Sequence, residues 1–168
     1  MKYFLILFVF FGFTSSLNAA DEKSKEIEMP KTFVLGDPMK GSELVESCAA
    51  CHGVDGNSMV TDWPKLSGQN QKYLYEQLLY FRDGSRMNAL MMSVTPYLQT
   101  LADNDLKDIA AFYSQYSSTV GQAKNDEEML RLGTQLYRFG NIKKQIPACT
   151  SCHAVYGQGN SLAGYPSV

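Results

Sequence analysis

The sequence predicts an all-α protein: one whole helical domain followed by part of a second. Three observations carry this. Apolar residues recur at helical spacing in several separate segments. Caps and breakers fall between those segments. A Cys-x-x-Cys-His pentapeptide occurs twice, at Cys48–His52 and Cys149–His153, each followed by similarly spaced residues.

The chain opens with Met1-Lys2, an apolar run over 3–13, and small residues to Ala20. Residues 1–20 thus read as a secretory signal peptide, cleaved after Ala19 or Ala20. A retained anchor is the weaker reading, because a membrane helix needs about twenty apolar residues. A charged lead-in, 21–38, follows, with Pro30 and Pro38 as breakers. The first domain is placed at 39–117. A helix over 39–50, with Leu44 and Val45 turned inward, delivers Cys48 and Cys51. Gly53 to Ser58 form a loop before Trp63-Pro64-Lys65-Leu66. A second helix spans 70–82, with Leu74, Leu78 and Phe81 at helical spacing and Asp83-Gly84 as its stop. A methionine-rich loop over 86–92 is broken by Pro96. A third helix spans 103–116, with Asp103 and Asp105 in its first turn.

A small, polar linker over 118–125 leads into the partial second domain, 126–168. Asn125 is the expected N-cap and Glu128 its capping-box partner. That helix runs to about residue 138 and carries Met129, Leu132, Leu136 and Tyr137. The halves repeat: Gly56 answers Gly157, and Trp63-Pro64-Lys65-Leu66 answers Tyr165-Pro166-Ser167-Val168. Beyond that point the first half has two more helices and the methionine loop. The second half is therefore expected to be incomplete, as a fragment or a truncated product.

The pentapeptide is the pattern for covalent attachment of c-type haem. Each thiol adds across one vinyl group, and the adjacent histidine offers iron a proximal nitrogen. The two copies use all four cysteines and both histidines. Disulfides are excluded once both sites are loaded. Histidine general-base catalysis and a second histidine on either iron are excluded as well. Export suits this chemistry, since thioethers are made where thiols must be kept from oxidising. Structural zinc is the weaker alternative, because it does not require a histidine directly after each second cysteine. The formal charge of −2 argues for neither nucleic acid nor anionic lipid as a partner. Association with a membrane surface is expected only through protein partners.

Iron bound by one histidine needs a sixth ligand or an open face. The available pool is Met, Lys, Tyr or water. Met92 is favoured, then Met91, then Met87, with Met59 a distant candidate. The His52 ring is expected to donate its other N–H to the Pro64 carbonyl, and His153 to that of Pro166. Trp63, Tyr73, Leu74 and Phe81 are expected to wall the first haem.

Several stretches resemble the cytochrome c4 family. They are His52-Gly-Val-Asp-Gly-Asn57, Trp63-Pro-Lys-Leu-Ser-Gly-Gln69, Tyr73-Leu74 with Gln77-Leu78 and Phe81-Arg82, Leu101-Ala-Asp-Asn-Asp-Leu106, Ile109-Ala-Ala-Phe-Tyr113, and Ile146-Pro-Ala-Cys-Thr-Ser-Cys-His153. The resemblance implies periplasmic proteins with two class I cytochrome c domains, two haems c and His–Met ligation. It implies single-electron transfer between respiratory complexes, from a cytochrome bc-type complex toward a terminal oxidase. In that family the methionine stands seven residues before the leucine that opens the last helix; here that count from Leu101 reaches Val94. The rival expectations are a haem enzyme or small-ligand sensor working at an open second haem, and a non-functional truncated remnant.

Overall fold

A computed structural model describes residues 33–121 and 124–168. The expected signal peptide and most of the lead-in lie outside the described residues, as do positions 122 and 123 of the linker. The described residues are helical, apart from two isolated antiparallel bridges, Asn141 with Ile146 and Asn160 with Tyr165. None of these helices is long and apolar enough to cross a membrane.

The chain enters helix α1, Pro38–Leu44, through an Asp37 cap that accepts from the Met39 N–H at 2.9 Å. Pro38, expected as a breaker, sits in the first helical turn, where its missing N–H has no partner to lose. The single expected helix over 39–50 is two. Val45 adopts φ −93°, ψ 2° and separates α1 from α2, Glu46–His52. Its carbonyl accepts from both Cys48 and Ala49, so the chain turns without orphaning an acceptor. The bend aims α2 at the centre of the first half.

Helix α3, Gln71–Asp83, ends on Gly84 in the left-handed region. A short 3₁₀ turn, Met91–Ser93, and helix α4, Thr95–Thr100, then replace the expected irregular stretch. Pro96 again lies in a first turn, so it starts α4 rather than breaking the chain. Helix α5, Asp103–Ser114, brings Leu106, Ile109, Ala110 and Tyr113 inward.

These helices close around two adjoining clusters. Val45, Cys48, Leu74, Ile109, Ala110, Phe112 and Tyr113 form one; Phe81, Leu98 and Leu106 form the other. Burial of each large side chain here contributes about 1.5–3 kcal/mol. Helix α1 crosses α5 at Gly41, where a Cβ would stand 2.1 Å from the Asp108 carbonyl oxygen. Only hydrogen fits at that crossing. Asp108 is buried and accepts from the Asp37 N–H at 2.7 Å, tying the entry to α1 to the same helix.

The second half starts with α6, Glu127–Phe139. Its cap is Asp126, which accepts from the Met129 N–H at 2.9 Å, one residue after the expected Asn125. Met129, Leu130, Leu132 and Phe139 are exposed, while Leu136 and Tyr137 are half-buried. The Tyr137 hydroxyl donates to the Ala154 carbonyl at 2.7 Å and holds α6 to α7, Thr150–His153.

Candidate haem sites

The first site is assembled from α2 upward. One turn of that helix places Cys48, Cys51 and His52 at one end of an apolar cavity of about 270 Å³. Trp63, Tyr73, Leu74 and Phe81 line its walls. His52 is 6% exposed. Its Nδ1 donates to the Pro64 carbonyl oxygen at 2.8 Å. A carbonyl can only accept, so the proton must sit on Nδ1, and Nε2 keeps the lone pair that a metal takes.

The position of Pro64 is fixed by a loop that Gly56 makes possible. Gly56 has φ 80°, and its carbonyl accepts from the Leu66 and Ser67 N–H groups. A Cβ there would stand 2.6 Å from the Ser67 nitrogen and 2.8 Å from the Tyr113 ring. Within the same loop the Asp55 carboxylate accepts from the Asn57 N–H at 3.0 Å and its Nδ2 at 2.8 Å, which pulls its pKa below the ordinary 3.8. Asn57 in turn accepts from Ser67 and from the Thr119 N–H. The beginning of the expected linker is thereby fastened to the first half.

The candidate methionines differ in whether they reach this cavity. Met91 lines it, beside Val94 and Leu98. Met92 is 54% exposed and Met87 73% exposed, and neither lines the cavity. Met59, in the loop after the pentapeptide, is exposed as well. The preferred order of the sequence reading is thus at odds with the geometry. The Asn88 side chain accepts from the Leu90 and Met91 N–H groups and starts the 3₁₀ turn. Three- and four-residue spacing then puts Met91 on the face of Val94, while Met92 points elsewhere. An asparagine three residues ahead was the signal in the sequence for this inward turn.

A haem fits these residues. The lining is mostly apolar, and two thiols, an imidazole and a thioether belong to it. Tyr113 also lines the cavity, and its buried hydroxyl has no partner among the described residues. Burial pushes that hydroxyl's pKa upward, with the neighbouring Cys48 adding to the shift. Burial likewise pushes the Cys48 thiol up to about 11, with Cys51 contributing. Arg86, whose guanidinium lies 4.6 Å over the Phe81 ring, brings positive charge to the cavity that a haem's carboxylates can meet.

The second site repeats the local geometry. His153 Nδ1 donates to the Pro166 carbonyl at 2.9 Å. Gly157, at φ 76°, accepts from the Val168 N–H as Gly56 does from Leu66. Cys149 is exposed, while Cys152 and His153 are half-buried. One residue differs in kind: where α2 ends on Gly53 at φ 82°, α7 ends on Ala154 at φ 64°, ψ 174°.

The comparisons agree with this chemistry. The cytochrome c family model matches residues 38–117. Cytochrome c4 of Stutzerimonas stutzeri is 42% identical over 139 residues, covering 79% of this chain and 65% of that protein. Cytochrome c4 of Thiocapsa roseopersicina is 42% identical over 134 residues, covering 79% and 67%. The crystal structure of reduced recombinant cytochrome c4 from Pseudomonas stutzeri superposes with a TM-score of 0.72 at 42% identity, covering 79% of this chain and 72% of that one. The chain thus spans roughly two thirds of the length of these curated relatives. Haem c is its cofactor, attached at Cys48, Cys51, Cys149 and Cys152. With two haem-attachment sites on one all-α chain, and relatives named cytochrome c4 at about 40% identity, this c-type cytochrome belongs to the cytochrome c4 family.

Proposed function

We propose that the chain works outside the cytoplasm, in the periplasm after loss of residues 1–20, carrying single electrons from a cytochrome bc-type complex toward a terminal oxidase. His52 and Met91 would hold the iron of the first haem, and His153 would hold that of the second. The observation that carries this reading is the buried His52 ring, held by Pro64 in a cavity that Met91 also lines. Bound haem c supplies an iron that gains and loses one electron. The chain's part is to hold the surroundings still. The Pro64 carbonyl fixes the imidazole in one tautomer and one orientation, and the apolar walls exclude water. Thioether ligation favours the reduced state and raises the potential, which suits a carrier late in a respiratory chain.

A ligand-sensing or peroxidase role would need an acid–base group beside an open iron. Both histidines are already engaged by proline carbonyls, and electron carriage is the reading we keep. The test is the weak red methionine–iron band of the oxidised protein. Met91→Ala is expected to abolish it, while Met92→Ala and Met87→Ala leave it in place. A band lost with Met92 and kept without Met91 would reverse the ligand assignment. High-spin iron at both sites of the unaltered protein would remove the electron-carrier reading.

A further inference from the structure

Asn70 is the N-cap residue of α3, a position where asparagine ordinarily accepts from the N–H groups of its own helix. It makes no such bond. Its Nδ2 donates instead across to the second half, to the Tyr165 carbonyl at 2.6 Å and the Gln158 carbonyl at 3.4 Å. Gln69, next to it, pairs with the backbone of a single residue. Its Nε2 donates to the Ser167 carbonyl at 3.0 Å, and its Oε1 accepts from the Ser167 N–H at 2.8 Å. The same Oε1 accepts from the Asn70 N–H at 2.8 Å, which ties the two side chains into one unit.

Tyr165 and Ser167 are the two neighbours of Pro166, whose carbonyl receives the His153 Nδ1–H. The first half therefore holds the residue on each side of the acceptor that orients the second imidazole. Each segment is also closed inside its own half, that of Pro64 through Gly56 and Val60 and that of Pro166 through Gly157 and Asn160; among the described residues the second alone is gripped from the other half as well.

We propose that Gln69 and Asn70 are positioning residues for the second haem, fixing the Pro166 carbonyl and through it the orientation and basicity of His153. The inference rests on the reading of His153 as an iron ligand. Donation from Nδ1–H to a carbonyl raises the basicity of the ligating nitrogen and favours the oxidised state. Loosening the carbonyl therefore raises the potential of the second haem. The first half thus sets a property of the second without touching its iron.

The test uses the full-length protein carrying both haems, with Asn70→Ala, Gln69→Ala and the milder Gln69→Glu. Glutamate keeps the acceptor for the Ser167 and Asn70 N–H groups, loses the donor to the Ser167 carbonyl and adds a negative charge that by itself lowers a nearby potential, so this variant is read by exchange alone. Two quantities are read: the potentials of the two haems, resolved by spectroelectrochemical titration, and solvent exchange of the His153 Nδ1 proton, read by paramagnetic NMR. The expected result is an upward shift of the second potential for the alanine variants, with faster exchange at His153 that is largest for them and smaller for Gln69→Glu. Asn70→Ala should leave the first potential at its original value. Correctly loaded variants with an unchanged second potential and unchanged exchange overturn the inference. So does a shift of equal size at both haems, which a general loosening would give. An unaltered protein whose second iron shows no imidazole signal would instead refute the ligand reading beneath it.

Discussion

In the first half of the molecule Cys48 and His52 are 8% and 6% exposed; in the second, Cys149 is exposed and His153 half-buried. Yet both histidines donate to a proline carbonyl, at 2.8 and 2.9 Å, and both loops close on a glycine carbonyl. The pentapeptide and the loop after it thus present the same acceptor to the imidazole in both halves. Enclosure is a separate property, supplied by α3, α4 and α5 packing over the first site. The acceptor for each imidazole comes from the loop of its own half, and protection from water is tertiary.

This difference can be broken first at the core. Leu106 is fully buried, so Leu106→Ala should destabilise the protein by about 2–5 kcal/mol in urea unfolding. Leu132, on the exposed face of α6, should shift stability by no more than about 0.5 kcal/mol when changed to alanine. Equal losses would show that the second half is as tightly built as the first.

The next test concerns the residue that ends each haem-bearing helix. Gly53 has φ 82°, ψ 156°, and Ala154 φ 64°, ψ 174°; both lie where glycine alone is at ease. Gly53→Ala should cost about 1–3 kcal/mol. Ala154→Gly should raise stability by about 1 kcal/mol, relieving a strain that the first half does not carry. A fall in melting temperature for Ala154→Gly would contradict the argument.

The smallest expected effect separates the loops by pH. Asp55 is held below 3.8 by the Asn57 side chain first and its backbone N–H second. Its folded pKa is depressed, so its contribution is present above pH 3.8 and is lost as pH falls through the folded value. Tyr156 occupies the matching place in the second half and is exposed. Asp55→Asn should therefore flatten the acid limb of the stability curve only below about pH 4, and Tyr156→Phe should leave it as it was.

Much of the architecture was legible because its causes are local. The periods of α3 and α5 follow from Leu74, Leu78 and Phe81 and from Leu106, Ile109 and Tyr113. The proline carbonyls opposite the two histidines could be located because the interval from each histidine is short and recurs. What escaped depended on backbone detail or on partners distant in sequence. Val45 breaks the first helix without a glycine or proline to announce it. Pro38 and Pro96 looked like breakers, although a proline in a first helical turn breaks nothing. Met91 and Met92 are adjacent and identical in type, and only the turn set by Asn88 separates them. The grip of Gln69 and Asn70 on residues nearly a hundred positions away leaves no periodic trace at all.

The burial of Cys48 has a consequence in time as well as in space. It packs with Val45 from the bend and with Ile109, Ala110 and Tyr113 from α5, and its thiol is pushed up to about 11. The reactive thiolate is scarce in that setting. An attachment step that needs this sulfur accessible is therefore expected to precede the docking of α5.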